Sequence, residues 1–423
     1  MLGRRSALSE YIPLALAGAL CAGCSASRPA RALPAATGDS AAVSPAEGRP
    51  VSLPPPFATP SANNGPRVVP PPVDALPKVP AGYTVALWTA DAHNPRNVVL
   101  APNGDVFVVE SNRGRVRVFR PAKGDYSKPG EQFVFAQGLR QPFGLTFYKN
   151  WVYIGDTDAV VRFPYKPGQT KAVGEPQRIT ELTPGGYNQH WTRNVLADVR
   201  NNKLFVSVGS RTNVDPEEPP RASILQMNPD GSARHTYASG LRNPVGLAIN
   251  PDTGRLWTAV NERDNLGDDL PPDFVTEVKP GGFYGWPYAY IGPHEDPRRK
   301  GERPDLVAKT IVPDVLVGAH VAALNLAFNP GRMLPGKGDA FVALHGSWNR
   351  ARRDGYSVIR IPVRAGRPAG PPSAFLTGFV LPDDNVWGRP VGICFLPDGS
   401  LLVSEDGNDL IYRVTYGKRP TRR

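Results

Sequence analysis

The chain has 423 residues, 40% of them apolar and 21% charged, so it can build a core and is not disordered throughout. Its 48 prolines and 43 glycines make it rich in turns and exclude an architecture of long helices. The net charge of +11 favours an anionic partner, but part of it is peripheral and no basic-aromatic motif accompanies it, so nucleic acid is not expected as a partner.

The first 24 residues read as an export leader. Arg4 and Arg5 precede a short apolar run from Ile12 to Leu20, too short to span a bilayer. The run ends at Leu20-Cys21-Ala22-Gly23-Cys24, where small residues before Cys24 resemble a lipoprotein cleavage box. The alternative is ordinary cleavage after Ala26 or Ala32. The expected location is the periplasm or a lipid-anchored position on the bacterial cell envelope, with membrane attachment through Cys24. Residues 25–80 are rich in Ala, Pro, Ser and Gly and are expected to be a disordered linker. Residues 418–423 form a basic tail.

From 81 to 417 one unit recurs: an apolar stretch, a turn, and a second apolar stretch. The pairs begin at Asn97, Phe143, Asn194, Val245, Leu324 and Val391. Short strands at a period of 40–50 residues predict an all-β chain folded as a six-bladed β-propeller. A seventh blade fits if the longer gaps hide another unit. With Cys21 and Cys24 in the leader, Cys394 is left as the one thiol of the folded part, in an apolar run that predicts a buried, inert side chain.

Polar clusters recur at the ends of the apolar stretches. Arg193, Arg242, Arg350 and Arg389 would bring positive charge to one mouth and suit a ligand with several carboxylates. Each could instead pair with a local acid. His190 is the candidate base, because an imidazole titrates near neutrality. Asp264, Asp268 and Asp269 offer hard oxygens of the kind calcium takes, although their spacing is not that of an EF-hand.

Three segments carry a family resemblance: Gly240-Leu241-Arg242-Asn243-Pro244-Val245-Gly246-Leu247, Glu262-Arg263-Asp264-Asn265-Leu266-Gly267-Asp268-Asp269-Leu270-Pro271-Pro272-Asp273, and Gly281-Gly282-Phe283-Tyr284-Gly285-Trp286-Pro287-Tyr288. His345-Gly346-Ser347-Trp348-Asn349-Arg350 and Glu405-Asp406-Gly407-Asn408 extend it. Together they resemble the L-sorbosone dehydrogenase group, related to soluble quinoprotein glucose dehydrogenase and to pyranose dehydrogenases. The resemblance implies a dehydrogenase that uses pyrroloquinoline quinone (PQQ) with calcium to oxidise a sugar or sugar-derived aldehyde, and passes electrons to an unidentified acceptor. It implies His190 as general base, and Arg242 with Asn243 at the quinone oxygens. It further implies Arg389 and Arg350 as cofactor-binding residues, to which Arg193 is added for its charge at the mouth, and Asp264, with Asp268 and Asp269 beside it, in the calcium loop. One position departs from the glucose dehydrogenase branch: where an Asp orients the base there, this chain has Gly209-Ser210-Arg211. Two other readings stay open, a propeller that only binds ligands and a calcium-dependent lactone hydrolase-type propeller.

Overall fold

A computed structural model of the chain describes residues 51–122, 124–182 and 190–417. The leader, Cys24 and the basic tail lie outside the described residues. Each sequence repeat becomes the first two strands of a four-stranded antiparallel blade. The first strands are Pro95–Leu100, Gly144–Tyr148, Arg193–Asp198, Asn243–Ile249, Ala323–Phe328 and Pro390–Phe395. Each touches the first strand of the next blade, and the sixth touches the first, so the ring of six closes around one channel. The outer strand of blade 6 is Tyr83–Thr89, which pairs antiparallel with Leu410–Tyr416 and ties the start of the propeller to its end.

The strands alternate in burial little, because each blade is covered on both faces by its neighbours. Six apolar clusters fill the six interblade spaces. Phe143, Val245, Leu324 and Val391 form a seventh cluster on the axis, with Trp191 against it. These four occupy equivalent places in their first strands, and they plug the channel below the mouth.

The residue after each plug position alternates strictly around the ring: Asn97, Gly144, Asn194, Gly246, Asn325, Gly392. Each asparagine folds its Oδ1 onto the next backbone amide, at 3.0, 2.9 and 3.2 Å. Their Nδ2 groups reach Phe143 O at 3.2 Å, Val245 O at 2.8 Å and Asn97 Oδ1 at 2.9 Å. The glycines make room for them. A methyl on Gly144 would lie 2.6 Å from Asn194 Cα, one on Gly246 would lie 3.1 Å from Asn325 Cα, and one on Gly392 would lie 3.3 Å from Asn97 Cα. Blades therefore seat in pairs, with a small residue facing a polar one that satisfies buried backbone groups.

The longer gap after the fourth repeat is an insertion inside blade 4. Residues 279–314 carry a short strand, Gly282–Phe283, that adds in parallel to the outer strand of blade 3, then a small hairpin and one helical turn. No seventh four-stranded blade occurs among the described residues.

The linker expected over 25–80 is corrected for its second half. Residues 51–80 lie against the propeller. Val51 and Leu53 pack on the core between blades 3 and 4, and Val69, Ala75 and Val79 on that between blades 5 and 6. Low hydrophobicity rules out folding alone, but not capture by a preformed surface.

Candidate active site at the propeller mouth

First strands begin, and second strands end, at the same end of every blade. The residues just before the one and just after the other therefore gather at one mouth. A cavity of about 280 Å³ opens there, lined by His190, Arg242, Asn261, Glu262, Asp264, Asp273, His320, Ala322 and Trp348.

His190 enters blade 3 with a left-handed backbone, φ 50°, a conformation uncommon for a non-glycine residue and more accessible to histidine than to most. Arg193 holds it there by donating from Nη1 to His190 O at 2.7 Å and to Thr192 O at 2.9 Å. Gly209 lies beneath, where any side chain would strike His190 Cβ. The imidazole Nδ1 lies 3.0 Å from Ser210 O and 2.9 Å from Ser210 Oγ. The serine hydroxyl spends its own proton on Thr212 O at 2.7 Å. Both atoms facing Nδ1 are therefore acceptors, Nδ1 carries the hydrogen, and Nε2 keeps a lone pair. Nε2 has no hydrogen-bond partner among the described residues. Burial and the nearby Arg242 guanidinium hold the His190 pKa well below its ordinary value, so the ring is neutral and basic at Nε2. Ser210 thus answers the missing aspartate.

Arg242 donates to Glu262 O at 2.6 Å, to Asn213 Oδ1 at 3.0 Å and to Asp264 Oδ2 at 2.7 Å. Glu262, 2% exposed, is pushed up to about 8 by burial, and Asp273 to about 7. At neutral pH Glu262 is largely an uncharged acid, and its Oε1 has no partner among the described residues. Asn243 sits below, bonded through Nδ2 to Asn261 Oδ1 at 3.1 Å, and its buried Oδ1 is likewise unpartnered. His320 donates from Nε2 to Gly267 O at 2.9 Å, which leaves the Nδ1 lone pair 3.8 Å from Asp264 Oδ1. Trp348 closes the rim, 42% exposed despite its size.

Of the residues expected from sequence, His190, Arg242 and Asp264 meet in the cavity, with Asn243 beneath. The others are placed differently. Arg193 is 0% exposed and braces the His190 loop from below, because its position in blade 3 is that of the plug layer. Arg350 pairs with Asp269 at 2.9 Å and with Asp354 at 3.4 Å, outside the lining. Arg389 is bound to His345 Nδ1 at 3.0 Å. The three aspartates diverge: Asp268 accepts from Ala351 N at 2.9 Å, and Asp269 faces solvent beside Arg350. No group of three or more His, Cys, Asp or Glu able to hold a metal occurs among the described residues. Cys394 is buried, and its thiol is pushed up to about 12, as expected of an inert core residue.

Ser210, Glu262, Asp273, His320 and Trp348 complete the site. Glu262 and Asp273 flank the sequence run read as a calcium loop, but their burial could not be seen from type and spacing.

Comparison with known proteins places the chain. The TrAA12-like family matches residues 77–282 and 304–417, and the chain belongs to that family. An uncharacterized protein of Borreliella burgdorferi is 30% identical over 356 residues, covering 81% of this chain and 91% of that one. The pyrroloquinoline quinone-dependent pyranose dehydrogenase of Coprinopsis cinerea is 25% identical over 79% of this chain, which spans 54% of that enzyme's length. The holo structure of that enzyme's PQQ domain superposes with a TM-score of 0.70, covering 82% of this chain and 98% of the domain at 23% identity.

Proposed function

We propose that this chain is an exported PQQ-dependent dehydrogenase that oxidises a sugar or sugar-derived aldehyde. The observation that carries the reading is His190: its Nδ1 is fixed by Ser210, and its Nε2, without a partner among the described residues, lies at a cavity whose wall carries Arg242 and Trp348. A purely binding mouth has no need of a base with a fixed tautomer, and a hydrolytic mouth, which can use such a base, has no need of an arginine and a flat aromatic surface beside it. Family membership and the Coprinopsis relative support the same reading.

The residues present fit the quinone in three respects. Arg242 offers positive charge to its oxygens, the neutral Glu262 offers an unpartnered O–H, and the exposed Trp348 ring offers a surface for a flat molecule. When bound, PQQ supplies the hydride acceptor. His190 Nε2 would take the proton of the substrate hydroxyl, or of an aldehyde hydrate, as hydride leaves the carbon that bears that oxygen. Arg242 would hold the quinone oxygens by charge-assisted hydrogen bonds, and Ser210 keeps the imidazole in register.

The side chains alone do not make a calcium cage. Those facing the cavity near the expected loop are Glu262, Asp264 and His320, short of the six to eight oxygens that ion takes, so backbone carbonyls and water would have to supply the rest. No step is therefore assigned to it. The electron acceptor, and lipid attachment at Cys24, belong to the proposal as expected from sequence.

The test is titration of the purified chain with PQQ, with and without calcium, followed by dye reduction with a panel of aldoses and sugar aldehydes. Binding at micromolar quinone and dye reduction with a sugar support the proposal. Absence of binding, with or without calcium, overturns it.

A further inference from the structure

The segment ahead of the first propeller strand makes a continuous set of contacts with the mouth. Phe57 N donates to Leu266 O at 2.7 Å. Gly267 N and Asp268 N donate to Ser61 Oγ at 3.1 Å and to Thr59 Oγ1 at 2.8 Å. Asn64 N donates to Trp348 O at 2.7 Å, and its Nδ2 to Ala351 O at 3.0 Å. Asn349 Nδ2 donates to Ala62 O at 2.6 Å. The Arg353 guanidinium donates to Asn64 O at 2.8 Å and to Gly65 O at 2.9 Å. Further along, Val69 N donates to Val386 O at 2.8 Å, and Asn408 Nδ2 to Val69 O at 2.9 Å.

Two loops are gripped, and both carry cavity residues. The loop 264–269 holds Asp264, which anchors Arg242, and Gly267, whose carbonyl orients His320. The loop 348–353 holds Trp348. The two are also joined to each other, Asn265 N donating to Asn349 Oδ1 at 2.8 Å. Neither belongs to a blade strand, so their backbone groups lack ladder partners, and residues 57–64 supply partners to two amides and three carbonyls of the two loops. The family match begins only at residue 77, so this segment lies outside it.

We propose that residues 57–69 are a positioning strap: they fix the spacing of the Asp264 and Trp348 loops, and so set the width of the mouth and the size of sugar it admits. The size-selection part rests on the sugar-oxidation reading; the positioning part does not. Without the strap the loops separate, the rim widens, and small substrates lose their fit before larger ones do.

The experiment uses two variants of the full chain, Thr59→Ala/Ser61→Ala/Asn64→Ala and deletion of residues 51–66. Neither touches a blade strand. Amide hydrogen exchange is followed over 264–269, 348–351 and the first strand of blade 3, then PQQ affinity and the kcat and KM for mono-, di- and trisaccharides. In the deletion, exchange of both loops is expected to quicken at least tenfold while the blade strand is unchanged; in the triple variant the effect is smaller and of the same kind. Monosaccharide KM should rise several-fold with kcat less affected, and the preference for monosaccharide over trisaccharide should fall. Unchanged loop exchange in the deletion overturns the strap. Faster exchange with an unaltered preference overturns its role in size selection. A wild-type chain that oxidises no sugar refutes the proposed function, and the exchange result still decides the strap.

Discussion

His190 and His345 both stand at the mouth, one just before a first strand and the other just after a second. Their surroundings treat them differently. His345 uses both nitrogens: Nδ1 accepts from Arg389, and Nε2 lies 2.7 Å from Asp406 Oδ1, with Arg96 bonded to the other carboxylate oxygen. Arg96 in turn lies over the Trp191 ring, 5.3 Å from its centroid. Burial lowers the His345 pKa to about 4, and the charged partners hold Asp406 well below the ordinary carboxylate range. That cluster is closed, and it joins blades 1, 5 and 6. His190 has one nitrogen held by neutral oxygens and the other left open. A histidine becomes a base less by its type than by which of its nitrogens the fold leaves free.

The largest effect that tests this contrast is on turnover. His190→Ala should lower kcat by about a thousandfold, within the range for loss of a general base, with quinone affinity nearly intact. A stopped assay with titrated quinone separates the two; turnover within tenfold of wild type ends the base assignment. Arg242→Ala comes next. Its charge-assisted contacts suggest a loss of quinone affinity of about thirtyfold to a hundredfold, read by absorbance titration, and an unaltered affinity removes Arg242 from the site.

His345→Ala should show itself in stability. Arg389 loses its partner and Asp406 one of two, at a cost of about 2 kcal/mol, as for buried hydrogen-bonding groups left unsatisfied, measured by urea unfolding. The pH dependence has a definite sign. Because the folded pKa of His345 is about 4, the unfolded chain takes up its proton first as the medium acidifies. Stability from His345 is fully present above about pH 6.5, the ordinary imidazole value, and falls as pH drops towards 4. Glu262, raised to about 8, acts oppositely: its contribution is present at acid pH and lost as pH rises through 8. In the His345→Ala variant the acid-side loss should shrink while the alkaline-side loss stays.

Much of this was legible in the chain. The six repeats are the first two strands of six blades, because a strand covered on both faces reads as a short continuous apolar run. The Asn/Gly alternation from Asn97 to Gly392 is equally plain in the letters, although its meaning needs the ring. His190, Arg242 and Asp264 stood out by type. Arg193 and Arg389 did not show their placement, because an arginine below the mouth, or one turned to a neighbouring histidine, has the same sequence context as one lining the cavity. The strap was hidden for a different reason. Composition reports whether a segment can fold alone, and residues 57–69 are held by loops more than 190 positions away in the sequence, such as 264–269.

The smallest effect is the most specific to His190. Ser210→Ala removes one of the two acceptors on Nδ1 and leaves the Ser210 carbonyl. A loss of about tenfold in kcat is expected, one modest hydrogen bond's worth. Ser210→Asp is the sharper variant, because it restores an acceptor and adds charge. The groups that set the His190 pKa are Arg242, Arg193 and Arg221, with Glu262, Asp264, Asp273 and His320 also on the cavity wall or beside it. The arginines disfavour the imidazolium, and Glu262, its pKa raised to about 8, offsets them little at neutral pH. In the wild type the rate should therefore rise with pH at a point well below the ordinary imidazole value and stay level through neutrality. A carboxylate at 210 would favour the imidazolium and shift that rise to higher pH by about one to two units. A kcat profile that shifts while the quinone affinity does not would show that residue 210 acts through the histidine. A profile that stays in place would mean that the serine only packs, and that the difference between the two histidines lies in their free nitrogens alone.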